Sequence, residues 1–116
     1  MRIAVGSDEA TYLTDIVVKE LREKGHEVEL HGPLAGESLP WPDVAERVAR
    51  RVAAGVCAQG ILFCWTGTGV SIAANKVPGI RAALCWDAET ARGARAWNDA
   101  NVLCLSLRYT SPTVAR

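Results

Sequence analysis

Apolar residues recur along this chain with two alternating periods. Residues 2–6 form a short apolar run that ends in Gly6-Ser7-Asp8, which predicts a strand turning into a loop with Ser7 or Asp8 capping a helix. Leu13, Ile16, Val17 and Leu21 then follow helical spacing from about Thr11 to Lys24, and Gly25 stands where a left-handed cap is expected. Residues 26–31 alternate as a second strand, with His26 and His31 expected at the surface. The stretch 32–42 holds two Gly and three Pro and is expected to be irregular, whereas Asp43 is expected to cap a second helix with the inward stripe Val44, Val48 and Val52.

The wholly apolar run 60–64 has the character of a strand covered on both faces. It leads through Thr66-Gly67-Thr68-Gly69 into a helix start at 71–76, which Pro78-Gly79 ends. Residues 80–86 predict a fourth strand, 88–97 a helix rich in Ala and Arg, and 102–107 a fifth strand. Such an order predicts one domain over 1–116: a three-layer, Rossmann-like α/β/α sandwich around a five-stranded parallel sheet. Ligands in sheets of this kind bind beyond the carboxyl ends of the strands. Thr110-Ser111-Pro112 has the pattern of a cap and first turn, so a C-terminal helix is expected to be missing or truncated and the last strand covered in another way.

Charge removes several partners from consideration. The 116 residues carry 13 Lys+Arg against 13 Asp+Glu, and the densest basic cluster is the helix face of Arg47, Arg50 and Arg51, which gives no footprint for nucleic acid or an anionic membrane. The longest apolar run, 61–65, falls far short of the roughly 20 residues a bilayer span requires, so a soluble, cytoplasmic protein is expected. Cys57, Cys64, Cys85 and Cys104 never form a C-x-x-C pair, which argues against zinc and thioredoxin-type chemistry. Three of them are expected to be reduced, buried thiols; Cys64 differs in its position.

Cys64 ends a buried strand and faces the amides of the next helix start, where peptide dipoles favour a thiolate that could act as base or nucleophile. Gly67 and Gly69 would let the backbone approach a ligand closely, so the amides of residues 67–71 could cradle an oxyanion or phosphate. A tight turn with no ligand is the plain alternative. The loop lacks the Gly-Lys-Ser/Thr of a Walker motif and the third glycine and acid of a dinucleotide fold, and it has Val70 where a cysteine phosphatase needs Arg.

Residues 60–76 (GILFCWTGTGVSIAANK), with Gly79-Ile80-Arg81-Ala82-Ala83, Asn98-Asp99-Ala100-Asn101-Val102-Leu103, the opening 3–8, Trp41-Pro42-Asp43-Val44-Ala45 and Arg108, resemble the type B ribose-5-phosphate isomerases and the galactose-6-phosphate isomerase subunits. The resemblance implies aldose–ketose isomerisation of a sugar phosphate through a cis-enediolate, with no metal or organic cofactor. It further implies Cys64 as the base, Thr66 as the hydroxyl, and the amides of Gly67, Thr68, Gly69, Val70 and Ser71 as holders of the enediolate. Asp8 matches a loop aspartate that contacts sugar hydroxyls, against the alternative of a helix cap. Asn98 matches a substrate-binding asparagine and Arg108 the arginine after the final strand, for which a surface ion pair is the alternative. Asn75, Lys76 and Arg81 are expected to serve packing and helix ends.

Three positions depart from that pattern. Glu9 and Trp97 stand where the ribose-phosphate enzymes usually carry His, leaving Glu9 as the remaining carboxylate for ring opening, although it would repel a phosphate dianion. Trp65 replaces a small glycine and is expected to wall the pocket or stack on a sugar face. A different pentose, tetrose or hexose derivative is therefore also consistent with the sequence. Two other classes compete: a phosphocysteine carrier domain and a sugar-phosphate-binding module without turnover. The family's shared sites imply a homodimer, or a tetramer, with Asn98 and Arg108 contributed by the neighbour.

Overall fold

The computed structural model describes residues 1–115. Five strands, β1 (Arg2–Ser7), β2 (Glu27–His31), β3 (Gln59–Cys64), β4 (Ala82–Leu84) and β5 (Val102–Ser106), form one parallel sheet in the order β2-β1-β3-β5-β4. Five helices connect or follow them: α1 (Tyr12–Glu23), α2 (Trp41–Ala53), α3 (Thr68–Asn75), α4 (Ala88–Asn98) and the single turn α5 (Pro112–Ala115). The predicted three-layer α/β/α sandwich is the fold observed.

Strand alternation sorts the core onto two faces. Ala4, Leu62, Cys64, Val102 and Cys104 point to the face where α2 contributes Val44, Val48 and Val52 and α3 contributes Val70 and Ala74. Ile3, Val5, Phe63 and Leu105 point to the other face and meet Leu13 and Val17 of α1, while Ala94 of α4 packs with Cys85 and Ala100. The helices that follow the adjacent strands β1 and β3 thus lie on opposite faces. The loops after those two strands leave the sheet towards opposite faces at their carboxyl ends, the switch point where open α/β sheets bind ligands.

Several boundaries differ from the sequence pattern, each for a local reason. Helix α1 is capped by Thr11, not by Ser7 or Asp8: Thr11 and Thr14 form a reciprocal capping box, and the Ser7 hydroxyl instead donates to the Glu9 carbonyl at 2.7 Å. Asp43 lies inside the first turn of α2, which starts two residues earlier because Pro42 suits a position with no amide to satisfy. Strand β4 spans three residues where seven were predicted, because Arg81 and Asn101 close a loop at its start through the bond from the Arg81 amide to Asn101 Oδ1, at 2.8 Å. Residues 32–35 form a 3₁₀ turn within the stretch expected to be irregular.

His31 is buried, contrary to the expectation of a surface residue, with Nε2 2.7 Å from Glu29 Oε1. Arg51 of α2 grips the same carboxylate with both Nε and Nη2, at 2.7 and 2.6 Å, so the edge strand is tied to the helix above it. The Arg51 fork, reinforced by His31, holds the Glu29 carboxyl down at about 2 from its ordinary 4.5. A carboxyl lowered in this way stabilises the fold above its unfolded value and loses that contribution as pH falls from about 4.5 towards 2. Glu29→Gln is expected to cost about 2 kcal/mol at neutral pH, a difference from wild type that shrinks in acid. Denaturant melts at pH 7 and pH 3 check this, and an equal cost at both would contradict it.

Candidate active site

Parallel pairing brings three strand ends level. Ser7 pairs with Phe63 and Cys64 with Ser106, and the Asp8 amide donates to the Phe63 carbonyl at 3.0 Å. Asp8, Cys64 and Ser106 therefore occupy one row along the carboxyl edge. Past Cys64 the chain reverses through Gly67, whose φ of 82° makes it the left-handed N-cap of α3 and whose amide donates to Cys64 Sγ at 3.2 Å. The first amide of the helix start thus meets the sulfur directly.

The two glycines of the loop are both required by the packing of the chain on itself. A Cβ on Gly67 would stand 2.5 Å from Leu84 Cδ1, 3.1 Å from the Leu105 carbonyl carbon and 3.2 Å from the Ser106 nitrogen. A Cβ on Gly69 would stand 2.9 Å from the Trp41 ring, so the first turn of α3 lies on the indole that opens α2. Close approach to a ligand is therefore not needed to explain either glycine. Of the five expected amides, Gly67 is engaged by Cys64, and helix geometry leaves Gly69 and Val70 without intrahelical acceptors. The same geometry places the Ser71 amide inside the helix.

The four thiols are free and buried, yet they differ chemically. Burial pushes Cys104 up to about 12 and also raises Cys57 and Cys85, which keeps those three protonated. Cys64, 6% exposed, accepts the Gly67 amide and lies beside Thr66, whose Oγ1 is 2.7 Å from Thr68 Oγ1. A thiol, a neighbouring hydroxyl and helix-start amides are the kinds of group that moving a proton between adjacent carbons and holding the resulting oxyanion require.

A family model described as Ribose/Galactose Isomerase matches residues 3–116. The chain belongs to that family. It is 39% identical over 116 residues to ribose-5-P isomerase B of Listeria innocua, covering 99% of this chain and 78% of that protein. It is 40% identical over 118 residues to D-erythrulose-4-phosphate isomerase of Pectobacterium atrosepticum, covering 100% of this chain and 78% of that one. The solved structure of Clostridium thermocellum ribose-5-phosphate isomerase B superimposes with a TM-score of 0.91 at 45% identity, over 99% of this chain and 78% of the other. Membership in this isomerase family favours the isomerase over the phosphocysteine carrier.

Of the remaining positions singled out from the family pattern, the structure brings some to Cys64 and leaves others apart. Arg108 is on the same edge of the same chain: its amide donates to the Trp65 carbonyl at 3.1 Å, and its guanidinium stacks on Tyr109, 4.8 Å from the ring centre. The Arg108 backbone thus adjoins this loop, while its side chain lies over Tyr109. Glu9 is exposed at the end of β1, tied through its backbone to Ser7. The Trp65 indole is 58% exposed, standing beside the loop without burying it. Trp97 and Asn98 end α4, which runs back from the carboxyl edge, so they lie at the opposite edge of their own chain. Asn75 does serve packing, clamping Ala82 through its Nδ2 and Oδ1 at 2.9 and 2.7 Å.

Sequence patterns passed over Ser106. It is buried, donates to the Trp65 carbonyl at 2.9 Å and accepts the amides of Arg108 and Tyr109 at 3.2 and 3.0 Å, joining the end of β5 to the cysteine loop. A serine inside an apolar strand was the available signal, but its partner lies 41 residues away.

Proposed function

We propose that this chain, acting as one domain, is a sugar-phosphate aldose–ketose isomerase with Cys64 as its base. The observation that carries the reading is the Gly67 amide on Cys64 Sγ at 3.2 Å, at a helix start beside the Thr66 hydroxyl. The thiolate removes the proton from the carbon next to the carbonyl. Thr66 gives its proton to the carbonyl oxygen and takes one from the adjacent hydroxyl, while the amides of Gly69 and Val70 hold the enediolate. Cys64 then returns the proton to the neighbouring carbon, so the sugar is rearranged and both side chains end as they began. In this reading Asp8 binds sugar hydroxyls and Arg108 the phosphate, with Glu9 as the group for ring opening and Trp65 at the sugar face.

The named relatives act on ribose 5-phosphate and D-erythrulose 4-phosphate, and a phosphorylated four- or five-carbon sugar is the substrate class proposed here. The working unit proposed is a homodimer whose sites draw on both chains, with Trp97 and Asn98 at the end of α4 supplied to the Cys64 loop of a second copy. Among the described residues no helix is long and apolar enough to cross a membrane, and the cytoplasm is the compartment proposed. Conversion of ribose 5-phosphate, D-erythrulose 4-phosphate and the unphosphorylated sugars, followed by NMR, tests the substrate class: turnover of a phosphorylated sugar is expected, and turnover of none of them would refute it. Mixing inactive Cys64→Ala and Asn98→Ala chains is expected to restore about a quarter to a half of wild-type activity; no recovery would place each site within one chain.

A further inference from the structure

We infer that Thr68 is a positioning residue for the proton transfer between the two substrate oxygens, acting through Thr66. This rests on the isomerase reading above and assigns a side chain for which the family pattern supplied only a backbone amide. Thr66 Oγ1 receives two contacts from residue 68: the Thr68 hydroxyl at 2.7 Å and the Thr68 amide, which donates at 3.4 Å. The shorter distance is that of a good hydroxyl–hydroxyl hydrogen bond. A hydroxyl has one proton and two lone pairs, so if both Thr68 donors fill the lone pairs, the Thr66 proton must point away from Thr68.

That direction suits the chemistry. Both threonines are exposed just past Cys64 at the carboxyl edge, so a proton directed away from Thr68 is open to a sugar bound at that edge. A hydroxyl that accepts hydrogen bonds is also a better donor, because each bond polarises the next. When Thr66 passes its proton to the carbonyl oxygen, the negative charge left on Oγ1 is held by the Thr68 hydroxyl and amide until the second substrate oxygen returns a proton. No net charge or proton is gained by either threonine over the cycle. Position 68 begins α3, and the Gly67 turn that precedes it fixes the backbone of the pair, so the contact is set by the fold.

The step Thr68 serves is the oxygen-to-oxygen transfer, whereas proton removal from carbon belongs to Cys64. The two are separable by experiment. With ribose 5-phosphate in deuterated water, carbon exchange into recovered substrate and conversion to ketose are measured together for wild type, Thr68→Val and Thr68→Ser. Thr68→Val keeps the branched shape and loses the hydroxyl; it is expected to lower kcat about tenfold, with KM within about twofold, the scale of one lost hydrogen bond. Exchange should fall less than conversion, so their ratio rises by about threefold or more, while Thr68→Ser should keep about half of wild-type kcat. A Thr68→Val enzyme with unchanged kcat, an equal fall in exchange and conversion, or a Thr68→Ser enzyme as impaired as Thr68→Val would overturn the assignment. Wild-type protein showing neither exchange nor conversion with ribose 5-phosphate or D-erythrulose 4-phosphate would remove the isomerase reading, and this inference with it.

Discussion

Cys64→Ala is expected to lower kcat/KM by about 10²–10⁴-fold, the range for a positioned acid–base group, with the fold intact. The sulfur sits in the core face shared with Val70 and Ala74, so its removal leaves a small cavity and costs about 1 kcal/mol, too little to unfold the domain. The loss should appear in turnover rather than in sugar binding, because the amides of Gly69 and Val70 and the Thr66 hydroxyl remain in place. Cys57→Ala provides the control: that thiol is buried, burial raises it, and it lies among Arg2, Arg51 and Glu29, remote from the loop. It should lose some stability and retain activity. Equal activity losses in the two variants would show that Cys64 contributes packing alone.

Gly67→Ala is expected to damage both fold and activity. The residue must keep a φ of 82°, which disfavours any L side chain, and its Cβ would press on β5 backbone atoms at 3.1 and 3.2 Å as well as on Leu84. Leu84 can rotate; the backbone of Leu105 and Ser106 cannot move without disturbing the sheet. Conformational strain and overpacking together come to about 3 kcal/mol, a fall in Tm of about 10 °C. The chain would relieve the clash by lifting the loop, which breaks the Gly67–Cys64 bond. Gly69→Ala is the milder comparison, since its conflict is with the Trp41 ring at 2.9 Å, a side chain that can tilt. Thermal melts check the order, and a Gly67→Ala protein that melts within 2 °C of wild type would contradict it.

Much of this architecture could be read from residue order. Runs such as 60–64 and the Val44, Val48, Val52 stripe specify buried strand and helix face by period alone, and the change of period at Cys64 placed the loop at a strand end. Features set by distant partners could not be read. Insertion of β5 between β3 and β4 is what aligns Ser106 with Cys64, and no local pattern encodes that order. The burial of His31 has no local signal because it depends on Arg51, which draws Glu29 onto α2. Ser7 and Asp8 have the composition of a cap, yet Thr11 and Thr14 cap the helix reciprocally and leave Asp8 exposed at the carboxyl edge. The glycines were legible as a tight turn, but their reason, contact with Leu84, β5 and Trp41, is tertiary. Thr68 drew attention only for its amide, because the 2.7 Å approach of its hydroxyl to Thr66 requires the turn at Gly67.

The most direct measurement is solvent-deuterium incorporation at the carbon next to the carbonyl of a sugar phosphate, followed by NMR for wild type and Cys64→Ala. Rapid incorporation by wild type and its near-complete loss in the variant is the predicted result. Incorporation that proceeds equally without the Cys64 sulfur would contradict its role as the base.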